Sequence, residues 1–133
     1  MISAAEEGLS GVFNTVSQPG FITMGELLEA VREVSGSRAE LVWVSPQLVE
    51  QQGIEAWTEL PIWLPPDGEA AGLHAGDVTA AFNHGLSCRP FAATAADTWS
   101  WLQTEGDPAA LAQGSVGLAP EKEAQALDSI GHL

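Results

Sequence analysis

The chain has 133 residues, of which 45% are apolar, and its 18 acidic and 4 basic side chains give a formal net charge of -14. A chain of this length is one ordinary domain that can bury roughly 68% of its unfolded surface. The four cations, Arg32, Arg38, Arg89 and Lys122, form no basic run that could neutralise phosphates. The composition therefore predicts a globular, acidic protein and argues against DNA, RNA and anionic membranes as partners.

The cysteine content and the first residues indicate the compartment. Cys88 is the only cysteine, so no internal disulfide can form, and we expect it to be a small buried apolar side chain. Glu6 and Glu7 stand where a signal peptide would carry basic residues, and no apolar run approaches the roughly 20 residues of a membrane span. We therefore expect a cytoplasmic protein.

The first 44 residues show a strand, helix and strand pattern. Thr23 and Glu26 have the spacing of a capping box, and Gly36 supplies a left-handed stop. Between them, apolar residues repeat at helical spacing and leave the charged residues toward water. Val12 and Phe13 precede this helix and residues 41–44 follow it as short apolar runs typical of strands covered on both faces.

Two strands joined by one helix should lie parallel in a right-handed crossover. The predicted fold class is therefore α/β (α+β), a small parallel sheet with a βαβ unit, flanking helices and a long Pro/Trp-rich loop. Because two strands do not make a stable sheet in water, either further strands follow or another part of the protein completes the sheet.

The remaining residues are predicted to alternate short helices with loops. Ser45 and Pro46 begin a short helix, and residues 54–72 form the loop that holds Trp57 and Trp63. A short helix begins at Asp77, and longer helices are expected over residues 92–105 and from residue 120 to about 130. This pattern predicts one folded domain over 1–106, a flexible linker over 107–119 and a C-terminal helix within 120–133.

The order of these elements resembles the C-terminal, substrate-binding part of the NAD-dependent epimerase/dehydratase family, the extended short-chain dehydrogenase/reductases. Each motif is weak alone, and seven occur in the family's order over roughly residues 1–105. They are Gly11-Val12-Phe13-Asn14, Thr23-Met24-Gly25-Glu26-Leu27-Leu28, Leu41-Val42-Trp43-Val44, Asp77-Val78-Thr79-Ala80-Ala81, Gly85-Leu86, Arg89-Pro90 and Asp97-Thr98-Trp99-Ser100-Trp101-Leu102.

The groups that this family uses for hydride transfer are missing. No Gly-x-Gly-x-x-Gly turn occurs in the sequence. The chain therefore lacks the glycine-rich turn whose backbone approaches a pyrophosphate at a helix N-terminus. The catalytic Tyr-x-x-x-Lys of the family has no counterpart, because the chain contains no tyrosine and its single lysine lies in the terminal helix. We therefore expect no cofactor in this chain, and the resemblance implies NAD(P) only for a full-length relative.

Three functions remain open. The chain is the truncated substrate-binding portion of an oxidoreductase or epimerase, with an apolar face left for a Rossmann-fold half or for self-association. Alternatively, it is an independent cofactor-free cyclase, isomerase or dehydratase of specialised metabolism that reuses the substrate pocket. The third alternative is a non-catalytic binding or assembly module.

Five residues are candidates for contact with a small-molecule substrate. They are Arg89, Trp57, Trp63, Glu59 and His74. Sugar-nucleotide relatives have a basic residue near the Arg-Pro position that meets substrate phosphates, and Arg89 occupies that position; the alternative is a salt bridge. The two tryptophans stack on the substrate or instead anchor their loop on the core.

Glu59 is a general base if the loop buries it, and otherwise a solvated carboxylate. His74 and His84 flank Asp77 with a spacing that matches no zinc pattern, so we predict no metal site.

Overall fold

The computed structural model describes residues 2–67, 70, 72–73, 75–106 and 117–131, and their regular structure is helical. The helices are α1 (Ile2–Glu6), α2 (Met24–Ser35), α3 (Pro46–Gln51), α4 (Thr79–Asn83), α5 (Phe91–Thr104) and α6 (Pro120–Ile130). The chain divides into two compact units, each built from segments that are distant in sequence. Unit 1 comprises Met1–Arg38 and Gly72–Trp101, and unit 2 comprises Ala39–Ala71 and Leu102–Leu133.

Helix α2 has the ends that its sequence predicts. The Thr23 hydroxyl accepts a hydrogen bond from the Glu26 backbone N–H at 3.2 Å, and the Thr23 N–H donates to Glu26 Oε2 at 2.8 Å. These bonds form a complete capping box and lower the pKa of Glu26 below its ordinary value. At the other end Gly36 has φ 65°, and the Ser37 N–H reaches the Arg32 carbonyl at 3.1 Å, which closes the helix in a Schellman motif.

The predicted parallel sheet with its βαβ unit is wrong. Neither residues 11–16 nor residues 39–45 form a strand, and the one bridge within the described ranges joins Ala56 and Leu60. The expected strand residues are instead on the surface: Val12 is 92% exposed and Trp43 is 64% exposed. Two short segments without neighbouring strands cannot satisfy their backbone groups in a ladder, and no second layer covers their side chains.

Helices α3 to α6 lie close to their predicted positions, whereas α1 was not predicted. The Ser45 hydroxyl accepts from the Leu48 N–H at the start of α3, which has Pro46 as its first residue. Before α4, Asp77 Oδ1 accepts from the Thr79 N–H at 2.9 Å. This is an Asx turn that leads into the helix. Hydrogen bonding from the Thr79 side chain, and then from its backbone N–H, lowers the pKa of Asp77 below its ordinary value.

The buried core of the described residues is small. Four apolar side chains are buried, Val49 and Ala126 in unit 2 and Val78 and Ala81 in unit 1. On α5, Trp99 is half-buried and Trp101 is exposed, so the two tryptophans lie on different faces of the helix. Cys88 is exposed, so the expectation that it is buried is wrong. Small residues whose Cβ is the only apolar group, together with two valines, give each unit limited hydrophobic stabilisation.

The predicted division into 1–106, 107–119 and 120–133 stays a prediction. The terminal helix α6 has the predicted bounds, Pro120–Ile130. Most of the predicted linker, residues 107–116, lies outside the described residues.

Candidate functional site

The site is built around residues 54–64, which we call the Trp loop. Its backbone closes on itself: the Trp57 N–H donates to the Trp63 carbonyl at 3.1 Å, and the Glu59 N–H donates to the Glu55 carbonyl at 3.0 Å. Trp57 has φ 67° and Ile62 has φ 61°, left-handed conformations that large side chains rarely adopt. The loop is therefore a hydrogen-bonded structure that holds two residues in strained backbone conformations.

The Trp loop places its two tryptophans differently. Trp57 is 54% exposed, whereas Trp63 is half-buried. An aromatic side chain that is half open to solvent on an ordered backbone presents a flat apolar surface at little cost in conformational entropy. Trp57 thus has the accessibility that a substrate-stacking residue needs, whereas Trp63 has less of its ring open to solvent; the roles of both tryptophans stay predictions.

An ion pair joins the Trp loop to helix α6. Lys122 Nζ donates to Glu59 Oε2 at 2.5 Å and to the Gly53 carbonyl at 2.7 Å. The same Glu59 oxygen accepts the Glu55 backbone N–H at 2.7 Å. The hydrogen bond from Lys122, and then that from Glu55, lower the pKa of Glu59 below its ordinary value. Glu59 is therefore an ionised carboxylate at neutral pH, and its Oε2 accepts from both Lys122 and Glu55.

A second polar cluster lies at the start of α5 in unit 1. Arg89 Nε donates to the Thr94 hydroxyl at 2.9 Å, and Arg89 Nη1 pairs with the Asp97 carboxylate. The salt bridge that the sequence offered as the alternative for Arg89 is thus present. Both partners are more than half exposed, so the pair contributes little stability, and anion binding by Arg89 stays a prediction.

Asn14 and Phe13 connect the N-terminal segment of unit 1 to α4. The Asn14 Nδ2 donates to the Asp77 carbonyl at 2.8 Å, across 63 residues of sequence. Phe13 beside it meets the His84 ring edge-on, with the ring centroids 5.7 Å apart. Because Asp77 precedes α4 and His84 follows it, these contacts tie the N-terminal segment to both ends of the helix.

The candidate residues fall into two groups. The structure brings Trp57, Trp63 and Glu59 together in unit 2, Arg89 lies in unit 1, and His74 lies outside the described residues. Lys122 was not predicted as part of the site. Its contact with Glu59 spans 63 residues, and no sequence motif marks a lysine in a helix as the partner of a distant loop.

No protein-family model matches the chain, and neither the curated proteins nor the solved structures contain a match. In the part of the chain that the structure describes, no helix has the length and apolar character to cross a membrane. Within the same residues, no three His, Cys, Asp or Glu side chains are gathered so that they could hold a metal ion.

Proposed function

We propose that this chain is the substrate-binding portion of an NAD(P)-dependent epimerase/dehydratase-type oxidoreductase and works with a separate nucleotide-binding half. The observation that carries the proposal is the exposure of its apolar segments. Val12 is 92%, Trp43 64% and Val42 48% exposed. Apolar runs of this composition are typical of segments that other parts of a protein cover. Within the described ranges the backbone of residues 41–44 makes no hydrogen bond. A partner surface would cover both the side chains and the backbone.

Charge favours a different protein over a second copy of this chain. Each copy carries a net charge of -14, so a symmetric dimer brings two strongly acidic surfaces together against their mutual repulsion. A partner with an apolar face and a neutral or basic rim meets no such repulsion. We propose that the partner is a nucleotide-binding half with such a surface.

The residues of this chain do not fit NAD(P) by themselves. The N-terminus of α2, the longest helix that is preceded by a capping residue, is occupied by the Glu26 carboxylate, which accepts the Thr23 N–H. A pyrophosphate would meet a negative charge at the place where dinucleotide-binding folds offer free amides. We therefore assign no step of hydride transfer to this chain, and its share of the work is to hold the substrate.

The substrate-binding role rests on the Trp loop. Trp57 offers a partly exposed indole that can contact a planar or apolar portion of a small molecule. Arg89 belongs to unit 1 and is a separate candidate, for contact with an anionic ligand. The absence of an internal disulfide partner for Cys88 supports a cytoplasmic location, which we include in the proposal.

The test supplies the missing half. We would co-express this chain with the nucleotide-binding half of an extended short-chain dehydrogenase/reductase, cut before its Gly-Val-Phe/Tyr-Asn segment. We expect a 1:1 complex, and we expect the fluorescence of an apolar-surface dye on the free chain to fall when the complex forms. The Val42→Ser/Trp43→Ser variant should bind less dye and less partner at unchanged helix content.

Two results would overturn the proposal. One is a free chain that sediments as a closed monomer and binds no more dye than the serine variant. The other is saturable binding of NAD or NADP by this chain alone, followed through the fluorescence of its five tryptophans. Such binding would require a cofactor site, and the sequence contains no Gly-x-Gly-x-x-Gly turn to form one.

A further inference from the structure

The backbone of the Trp loop needs external support. Trp57 and Ile62 have φ values of 67° and 61°, in the left-handed region that residues other than glycine adopt only at a cost in free energy. Such conformations persist only where surrounding contacts determine them. The question is which contacts hold this loop.

The Glu59–Lys122 ion pair is a side-chain contact that reaches the loop from α6. The Lys122 ammonium bonds to the Gly53 carbonyl, just before the loop, and to Glu59 within it. Glu59 in turn accepts the Glu55 N–H, so one cation fixes the entry and the middle of the loop. The Gly117 N–H, which precedes α6, donates to the Thr58 carbonyl at 3.3 Å as a second tie.

No other lysine or arginine of unit 2 can replace the charge of Lys122. The two segments of unit 2 contain eleven acidic residues and, apart from Lys122, no lysine or arginine. The pair is also sheltered, since the side chains of Lys122 and Glu59 are 33% and 20% exposed. A partly buried pair is screened less by salt than a surface pair. Neutralising Lys122 leaves the Glu59 carboxylate with only the Glu55 N–H.

We propose that Lys122 and Glu59 are positioning residues that hold the Trp loop so that Trp57 is presented to a planar or apolar group of the substrate. The class of ligand in this inference rests on the proposed function. The attachment of the Trp loop to Lys122 rests on the structure alone. It assigns Glu59 a positioning role in place of general base catalysis. A carboxylate whose pKa is lowered by two hydrogen bonds is a weak proton acceptor, which agrees with this assignment.

The experiment compares Lys122→Met with Lys122→Arg in the full chain. Hydrogen exchange at the Glu55 and Trp57 amides reports the loop directly, and far-UV circular dichroism reports the helices. We expect exchange at both amides to accelerate at least tenfold in Lys122→Met. Lys122→Arg, which keeps the charge and the donors, should remain within about threefold of the wild type. Glu123→Gln on the same helix is the matched control and should change neither amide.

Tryptophan emission separates positioning of Trp57 from a general loss of structure. The tryptophan emission of Lys122→Met should differ from that of the wild type. In a Trp57→Phe background, the same substitution should leave the emission unchanged. Should Lys122→Met fold poorly, Glu59→Gln keeps the shape of the side chain, removes the charge, and should accelerate the same amides. Unchanged exchange in a folded Lys122→Met or Glu59→Gln variant would overturn the proposal. Since no measurement here needs a partner or a substrate, failure of the nucleotide-binding-half proposal would be seen separately.

Discussion

Two valines of unit 1 give a direct measure of where its hydrophobic stabilisation lies. Val12 is 92% exposed and Val78 is 7% exposed, and both belong to the same compact unit. Substituting each with alanine removes the same two methyl groups. The free energy of unfolding should therefore change in proportion to burial, and the two variants form a matched pair.

The expected magnitudes follow from the exposed fractions. Two methyl groups transferred from water to a core contribute about 1.6 kcal/mol. For Val78 almost all of this is lost, and the cavity that remains raises the cost of Val78→Ala to about 2 kcal/mol. For Val12 the loss is about 0.1 kcal/mol, because the side chain is already in water.

The assay is urea unfolding followed by tryptophan fluorescence and far-UV circular dichroism, with coincidence of the two transitions as the check on two-state behaviour. We expect the midpoint of Val78→Ala to fall clearly and that of Val12→Ala to stay at the wild-type value. If Val12→Ala costs as much as Val78→Ala, Val12 is buried in solution, as a covered strand requires. That result would refute the exposure on which the proposed function depends.

Three further predictions concern local bonds. Thr23→Ala should destabilise the protein by about 1 kcal/mol, because α2 loses its capping hydroxyl, and Thr23→Ser should restore it; equal urea midpoints for the three proteins would contradict this. Gly36→Ala should cost about 1 kcal/mol at φ 65°, with Gly36→Asn milder, and an unchanged thermal midpoint would argue against the left-handed cap. Lys122→Met should raise the pKa of Glu59 in a carboxyl NMR titration. In the wild type that pKa is lowered, so the contribution of Glu59 is complete above the ordinary glutamate pKa and is lost as pH falls through the lowered value; identical titrations would exclude the ion pair.

The helices and their ends could be predicted from sequence because their determinants are local. The Thr23 and Glu26 capping box lies within four residues, and Gly36 closes the same helix two residues past Val34, its last apolar residue. The start of α6 at Pro120 is equally local. Each of these elements depends on hydrogen bonds between residues three to five positions apart, so its sequence contains all the partners that it needs.

Whether a segment forms a strand, and which residues make up the site, depends on partners that are distant in the sequence. Only the tertiary structure shows these partners. Val12 and residues 41–44 have strand composition, but a strand exists only where a neighbour accepts its backbone bonds, and the described chain supplies none. The Trp loop was visible as a cluster of tryptophans and prolines. Its attachment to Lys122, 63 residues from Glu59, was not, because an ion pair between elements is fixed by how they pack and leaves no spacing in the sequence.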